Sequence, residues 1–180
     1  MAFSAQDERR LLDIIEKDAI RDLFYSYCQA IDRQDYDKLR ELYHEDARDE
    51  HGVNTSGSVD EFLERIEQFY ADALSIQHHV TNLYIKLEGN YAEAEGYVIN
   101  TNVMPNAKLV FGGRYMDKLE RRDGVWKFSH RRLVAEWVDV YEHYEDARGS
   151  NPATVNMYKG KVGESDPSYA YFQLFKRGER

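Results

Sequence analysis

The sequence predicts an α+β fold in which amino-terminal helices cover one face of a curved antiparallel sheet. Apolar residues recur at helical spacing over residues 20–31 and again over 62–73. From Ile76 onward the pattern turns strand-like, and Gly89-Asn90 and Asp123-Gly124 separate neighbouring runs by the short turns that favour hairpins. Helices first and a block of long strands afterwards is the element order of an α+β domain.

Taken in chain order, Ser4 with Asp7 can open a first helix as a capping box. Leu11, Leu12, Ile14 and Ile15 follow, then Ile20, Leu23, Phe24, Tyr27 and Ile31, so one long or broken helix is expected to end near Asp32. A short second helix fits residues 36–43. Residues 46–51 read as a short strand, stopped by Gly52 and the polar run 54–58. Ser58 with Glu61 makes another capping box, ahead of Phe62, Ile66, Phe69 and Ala73 on one helical face. Strands are predicted over 77–87, 91–103, 109–120 and 125–137, with Pro105-Asn106 in the remaining connection. Gly112-Gly113 lies inside a strand and reads as a bend or bulge. Beyond about Tyr144 the periodicity fades. Residues 1–144 are therefore read as the domain, and 145–180 as a tail. Its Tyr158, Tyr169, Tyr171, Phe172 and Phe175 imply docking, either as a lid over a pocket or as an arm on a neighbouring subunit.

Composition narrows the function classes. A hydrophobic fraction of 42 % and an aromatic fraction of 13 % exclude a disordered chain. With 24 basic against 33 acidic residues the formal charge is −9, which repels phosphate backbones and anionic lipid, so no nucleic-acid or membrane partner is expected. The single cysteine, Cys28, excludes an intramolecular disulfide and any multi-cysteine metal site. The first residues lack the pattern of a secretory signal and no apolar run is long enough to span a bilayer, so a cytoplasmic protein is expected.

Several residues are candidates for chemistry. Asp32 sits where the first helix ends and so faces the negative end of its dipole, which disfavours a carboxylate unless it has a partner or a task. His78 and His79 are adjacent on a strand and point to opposite faces, one of them inward. An interior histidine can be a satisfied core group. Beside a carboxylate in an apolar cavity it would instead be a competent base, with the acid holding its tautomer. Arg131 and Arg132 likewise take opposite faces; an inward arginine needs an ion partner or a ligand oxygen, and the alternative is two solvated charges. Tyr25 shares a helical face with Asp32, whereas Tyr27 falls on the apolar stripe, rotated away from Asp32, where packing with a satisfied hydroxyl is the default. His51 follows Asp49 by two and could face inward with it. His51, His78 and Asp32 lack metal-ligand spacing, so no metal is expected. Cys28 has no local activating partner.

The stretch Ala19-Ile20-Arg21-Asp22-Leu23 through Tyr27, Asp32 and Asp46-Ala47 resembles the opening of SnoaL-like proteins of the nuclear transport factor 2-like superfamily. The resemblance continues, in order, through His78-His79-Val80-Thr81-Asn82, Gly112-Gly113-Arg114-Tyr115 and Arg122-Asp123-Gly124-Val125-Trp126-Lys127-Phe128. Within that superfamily the chain is similar to scytalone dehydratase, bile-acid 7α-dehydratase and hexachlorocyclohexane dehydrochlorinase, over about residues 8–140. The resemblance implies a cone, a strongly bent antiparallel sheet wrapped around helices with a deep apolar pocket at one end. It implies that Asp32 is the helix-end catalytic aspartate, His78 (three before Thr81) the histidine of its dyad, and Arg131 (five after Trp126) a pocket arginine. Tyr27, five before Asp32, matches a catalytic tyrosine; unwinding of the helix end would reconcile that role with its position on the apolar stripe. Tyr25, His51 and Tyr115 are placed with the substrate, His51 falling near a position where a relative has a tyrosine.

The activity this implies is a cofactor-independent lyase. His78, oriented by Asp32, would remove a proton from a small, apolar, hydroxylated cyclic or aromatic molecule. Water, halide or a fragment such as formaldehyde (from a lignin-derived aromatic dimer) would then leave, with Tyr27 and Arg131 on the developing oxygen charge. The alternatives are an isomerase like ketosteroid isomerase or the polyketide cyclases, a non-catalytic ligand-binding module, and a subunit like the small subunit of ring-hydroxylating dioxygenases. A homo-oligomer, dimer or trimer, is also implied.

Overall fold

The computed structural model describes residues 3–52 and 56–179. Helix α1 (Ala5–Asp32) is one unbroken helix whose amino end is capped by Ser4, the hydroxyl accepting from the Asp7 N–H at 3.1 Å. Only its second half is core: Ile20, Leu23, Phe24, Tyr27 and Ile31 are buried, while Leu11, Leu12, Ile14 and Ile15 stand exposed. A left-handed Gln34 (φ 51°) turns the chain into α2 (Tyr36–Glu41), capped by Asp35. That helix is shorter than predicted because strand β1 (Tyr43–Glu50) begins earlier than its charged sequence suggested. A three-residue strand β2 (Ser56–Ser58) occupies part of the predicted polar break, whose residues 54 and 55 lie outside the described residues. Helix α3 (Val59–Tyr70) then starts from the expected Ser58–Glu61 capping box.

Four long strands complete the sheet: β3 (Ser75–Glu88), β4 (Tyr91–Met104), β5 (Ala107–Arg122) and β6 (Val125–Glu142). The order across the sheet is β2-β1-β6-β5-β4-β3. Every pair is antiparallel except β1 with β6, which is parallel, so the expectation of a wholly antiparallel sheet is corrected. A parallel pair needs a long crossover; here α3 and the intervening strands supply it.

Bulges decide which side chains face inward. On β3 the register passes from Val80 opposite Val98 to Leu83 opposite Gly96, one extra residue at Thr81-Asn82. On β6 one extra residue lies near Ser129, so the inward set changes from Trp126 and Phe128 to Arg131. Simple alternation from Phe128 would have turned Arg132 inward. Arg132 instead lies at the surface on Glu50. The third irregularity lies opposite Gly112-Gly113, where the extra residue is Glu136 on β6 and not one of the glycines. A Cβ on Gly113 would clash with the Val134 carbonyl oxygen and the Phe111 ring.

The sheet's inner face closes over α1, and the largest fully buried side chain is a charged one. Arg131 is 0 % exposed and grips Asp117 bidentately, Nε to Oδ1 at 2.8 Å and Nη2 to Oδ2 at 2.9 Å. The rings of Tyr27, Tyr115 and Phe128 lie about its guanidinium at 4.0, 4.0 and 4.1 Å, a desolvated cation–π cage. Burial lifts the Asp117 carboxyl above its ordinary range against the pull of Arg131.

The carboxy-terminal segment folds back onto the corner between α1 and α2. Asp166 is buried against Arg33 (3.1 Å), and the Gly163 N–H donates to the Arg33 carbonyl at 2.9 Å. Arg177 donates to the carbonyls of Arg33 and Gln34, and the Gly178 N–H donates to Asp35. These donors satisfy carbonyls left bare where α1 ends. A short helix α4 (Pro167–Tyr171) belongs to this segment.

Gly113→Ala is expected to lower stability by about 1–3 kcal/mol, because the obstructing atom is backbone and cannot rotate away; an unchanged urea midpoint would contradict the packing at this bulge. Asp117→Asn is expected to cost about 3–5 kcal/mol by stranding the Arg131 cation. The paired replacement of Arg131 by Met and Asp117 by Leu should cost less in the same unfolding measurement.

Candidate active site

Asp32 is the last residue of α1, and β3 passes directly beside it. The His78 backbone N–H donates to Asp32 Oδ2 at 3.1 Å, and His78 Nδ1 lies 2.7 Å from Asp32 Oδ1. A carboxylate only accepts, so the neutral ring carries its proton on Nδ1 and leaves Nε2 as the bare nitrogen. Asn100, directly opposite His78 on β4, holds that nitrogen from the other side, its amide donating to Nε2 at 2.7 Å. The two donors on Asp32 answer the unfavourable helix dipole at this position. His79, on the opposite face, is exposed.

His78 forms part of the wall of a cavity of about 280 Å³. That is near the lower end of ordinary ligand sites, roughly 300–1,000 Å³. Ile31, Ile66, Phe69, Val98, Leu109, Phe111, Leu133 and Val138 make most of the lining, with His51, Tyr70, Asn100, Asn102 and Tyr115 as its polar members. Burial pushes the Tyr70 phenol up, with Asn100 and Asn102 as hydrogen-bonding neighbours opposing that shift. Asn102 Oδ1 is buried without a hydrogen-bond partner among the described residues. No residue of the described tail lines this cavity; Arg148, Thr154 and residues 157–162 of the tail instead line a second pocket, of about 260 Å³, with Asp32 and Arg33.

The structure brings Asp32, His78, His51 and Tyr115 to or against the cavity and leaves three other candidates elsewhere. Tyr25 is 56 % exposed: it shares the face of Asp32, but two turns earlier that face lines an open groove shared with Leu174 and Phe175 of the tail and not the cavity under the sheet. Tyr27 is fully buried and meets the His78 ring edge-on at 6.5 Å between centroids, without lining the cavity. The helix stays regular through Asp32, so no unwinding redirects Tyr27, and its hydroxyl has no hydrogen-bond partner among the described residues, contrary to the expected satisfied one. Arg131 sits behind Tyr115, spent on Asp117, and does not reach the cavity. Cys28 is buried, which pushes its thiol up to about 12 and removes it as a nucleophile.

Asn100, Asn102 and Tyr70 were missed. The signal for the asparagines was strand parity: both share the inward phase of Ala92, Ala94 and Val98 on β4. Tyr70 stands four residues beyond Ile66 on the buried face of α3 and was readable from the same periodicity. Among the described residues no group of three or more His, Cys, Asp or Glu side chains is placed to hold a metal ion. No helix among them is long and apolar enough to cross a membrane.

Comparison with known proteins agrees with this architecture. The chain is 25 % identical over 127 residues to the gamma-hexachlorocyclohexane dehydrochlorinase of Sphingobium indicum, covering 66 % of this chain and 80 % of that protein. Its fold is similar to that of hexachlorocyclohexane dehydrochlorinase type 3 from Novosphingobium barchaimii LL02, with a TM-score of 0.67, 22 % identity, and coverage of 76 % of this chain and 99 % of the other. A Novosphingobium aromaticivorans protein described as a scytalone dehydratase also gives a TM-score of 0.67, at 21 % identity, over 74 % of this chain and 91 % of its own. Residues 13–132 match the SnoaL-like domain, and the chain belongs to the SnoaL-like family within the nuclear transport factor 2-like superfamily.

Proposed function

We propose that the protein is a cofactor-independent lyase in which His78 is the catalytic base, acting on a small, hydroxylated, largely apolar cyclic molecule. The observation that carries this reading is the 2.7 Å contact from His78 Nδ1 to Asp32 on the wall of an apolar cavity. Asp32 holds the ring in the tautomer that presents Nε2 and stabilises the imidazolium once Nε2 has taken a proton. A substrate entering the cavity takes Nε2 from Asn100, whose amide is then free to donate to the oxygen on which enolate charge develops. The bare Asn102 Oδ1 suits a substrate hydroxyl, and the apolar remainder of the lining suits a flat carbocycle.

The chemistry is β-elimination. The proton leaves the carbon beside a carbonyl, its bonding pair becomes the new double bond, and a group departs from the next carbon. The likeness to a hexachlorocyclohexane dehydrochlorinase and to a protein described as a scytalone dehydratase supports this class. Tyr27 and Arg131 shape the wall from behind rather than touching the substrate. Trp137, exposed on β6 on the face opposite the cavity-lining Val138, suits packing against a second copy of the chain.

Incubation with 3-hydroxy-1-tetralone, chlorinated cyclohexanes and lignin-type aromatic dimers, followed by product mass, tests the reading. Loss of water or hydrogen chloride supports the elimination; loss of formaldehyde, in which a hydroxyl gives up its proton and a C–C bond breaks, keeps the lyase reading but overturns the C–H step; and a product of unchanged mass assigns the site to isomerisation instead. His78→Ala is expected to lower kcat/KM by at least about 100-fold, as is Asp32→Asn, with the fold intact by circular dichroism. Near-normal rates in either variant would reject the mechanism.

A further inference from the structure

The two elements that carry Asp32 and His78 are tied together a second time, by the carboxy-terminal segment. Residues 145–180 lie beyond the stretch that matches the SnoaL-like domain. On the α1 side, the buried Asp166 stands 3.1 Å from Nε of Arg33, the residue next to Asp32. The same carboxylate gathers the segment onto itself, accepting from the Lys161 and Ser168 N–H groups at 3.0 Å each. Gly163 and Arg177 donate to the Arg33 carbonyl, and Arg177 also to that of Gln34. On the β3 side, Arg148 donates to the Leu74 carbonyl at 3.4 Å, one residue before the strand that carries His78 begins. Arg148 also donates to the Gly160 carbonyl, so one segment holds both the end of α1 and the start of β3.

The end of α1 needs such a hold. Gln34, two residues past Asp32, has φ 51°, a left-handed conformation that a residue with a side chain keeps only where its surroundings impose it. Its side-chain amide donates to the Tyr70 carbonyl at 2.6 Å, and its own carbonyl accepts from Arg177 at 2.6 Å. The Asp32 carboxylate meets two donors of one residue, the His78 N–H and Nδ1, so a small displacement of the helix end weakens both contacts at once. The segment also walls the pocket of about 260 Å³ beside Asp32, whose side chain is 15 % exposed. Water admitted there would compete with His78 for the carboxylate.

We propose that the carboxy-terminal segment is a brace that fixes Asp32 against His78, and that Asp166 is its positioning residue. Asp166 acts through Arg33 and lines no part of the cavity. The effect on rate rests on the reading of His78 as the base, whereas the effect on the geometry of the pair stands without it.

Hydrogen exchange on the full chain reads that geometry directly, because the His78 amide has the Asp32 carboxylate as its acceptor. Asp166→Ala is expected to speed exchange of this amide by about tenfold or more, while amides of the β4–β5 ladder stay within about twofold of wild type. Wild-type exchange at His78 in this variant would overturn the proposal. Equal acceleration at His78 and across the ladder would reduce the segment to a general stabiliser and overturn it too. Should Asp166→Ala fail to fold, Arg177→Gln, at an exposed position, removes the donors to Arg33 and Gln34 and is judged by the same two amide sets. On a substrate that the wild-type protein turns over, Asp166→Ala should lower kcat by about tenfold or more and change KM by less than about twofold, since a misplaced pair slows the reaction and leaves the cavity intact. A loss confined to KM would contradict positioning. Exchange needs no substrate, so wild-type protein without lyase activity would sink the elimination reading and leave the brace to be decided by the His78 amide.

Discussion

The contact between Asp32 and His78 joins the two halves of the molecule and underlies the chemistry proposed for the cavity. One carboxylate receives both a backbone N–H and a ring N–H from the same residue, so the end of α1 and the start of β3 are locked in position and orientation together. The lock is supported from behind, where the carboxy-terminal segment supplies donors to the carbonyls of Arg33 and Gln34 and an aspartate to Arg33. A helix end that would otherwise fray is thereby held still beside the proposed acid–base pair.

The remaining features follow from keeping this cavity dry and shaped. Long strands cannot remain straight, and bulges at Thr81-Asn82, at Glu136 opposite Gly112-Gly113, and near Ser129 curl the sheet around α1. The curl carries the ends of β1 and β3 to a common space. The buried Arg131–Asp117 pair fills the layer behind Tyr27 and Tyr115, where its charges are satisfied mostly by each other and by aromatic faces. Such a pair contributes little net stability against a well-packed apolar replacement, but removing one partner is severe. It specifies how the aromatic rings stand behind the cavity.

Much of this was legible from residue patterns. The end of α1 at Asp32, the capping box opening α3 and the long strands were each signalled by local chemistry: a helical stripe, a Ser–x–x–Glu, and turns at Gly89-Asn90 and Asp123-Gly124. The dyad was legible only by resemblance, since no spacing shows that residues 32 and 78 meet. Arg131 and Tyr25 show where such reasoning stops. Arg131 was correctly placed inward, but the buried carboxylate opposite it on β5 was not counted, so its charge was assigned to the substrate. Tyr25 shares a helical face with Asp32, yet that face meets different neighbours along its length. The parallel β1–β6 pairing depends on contacts distant in sequence and left no local trace.

The central claim is that Asp32 holds His78 with its proton on Nδ1 and Nε2 bare toward the cavity. Nitrogen-15 spectra of the imidazole side chains, with His78 assigned by substitution, report the tautomer directly. The account predicts a neutral His78 ring protonated at Nδ1, with that preference lost in Asp32→Asn. A neutral ring protonated at Nε2, or one indifferent to the aspartate, would contradict it.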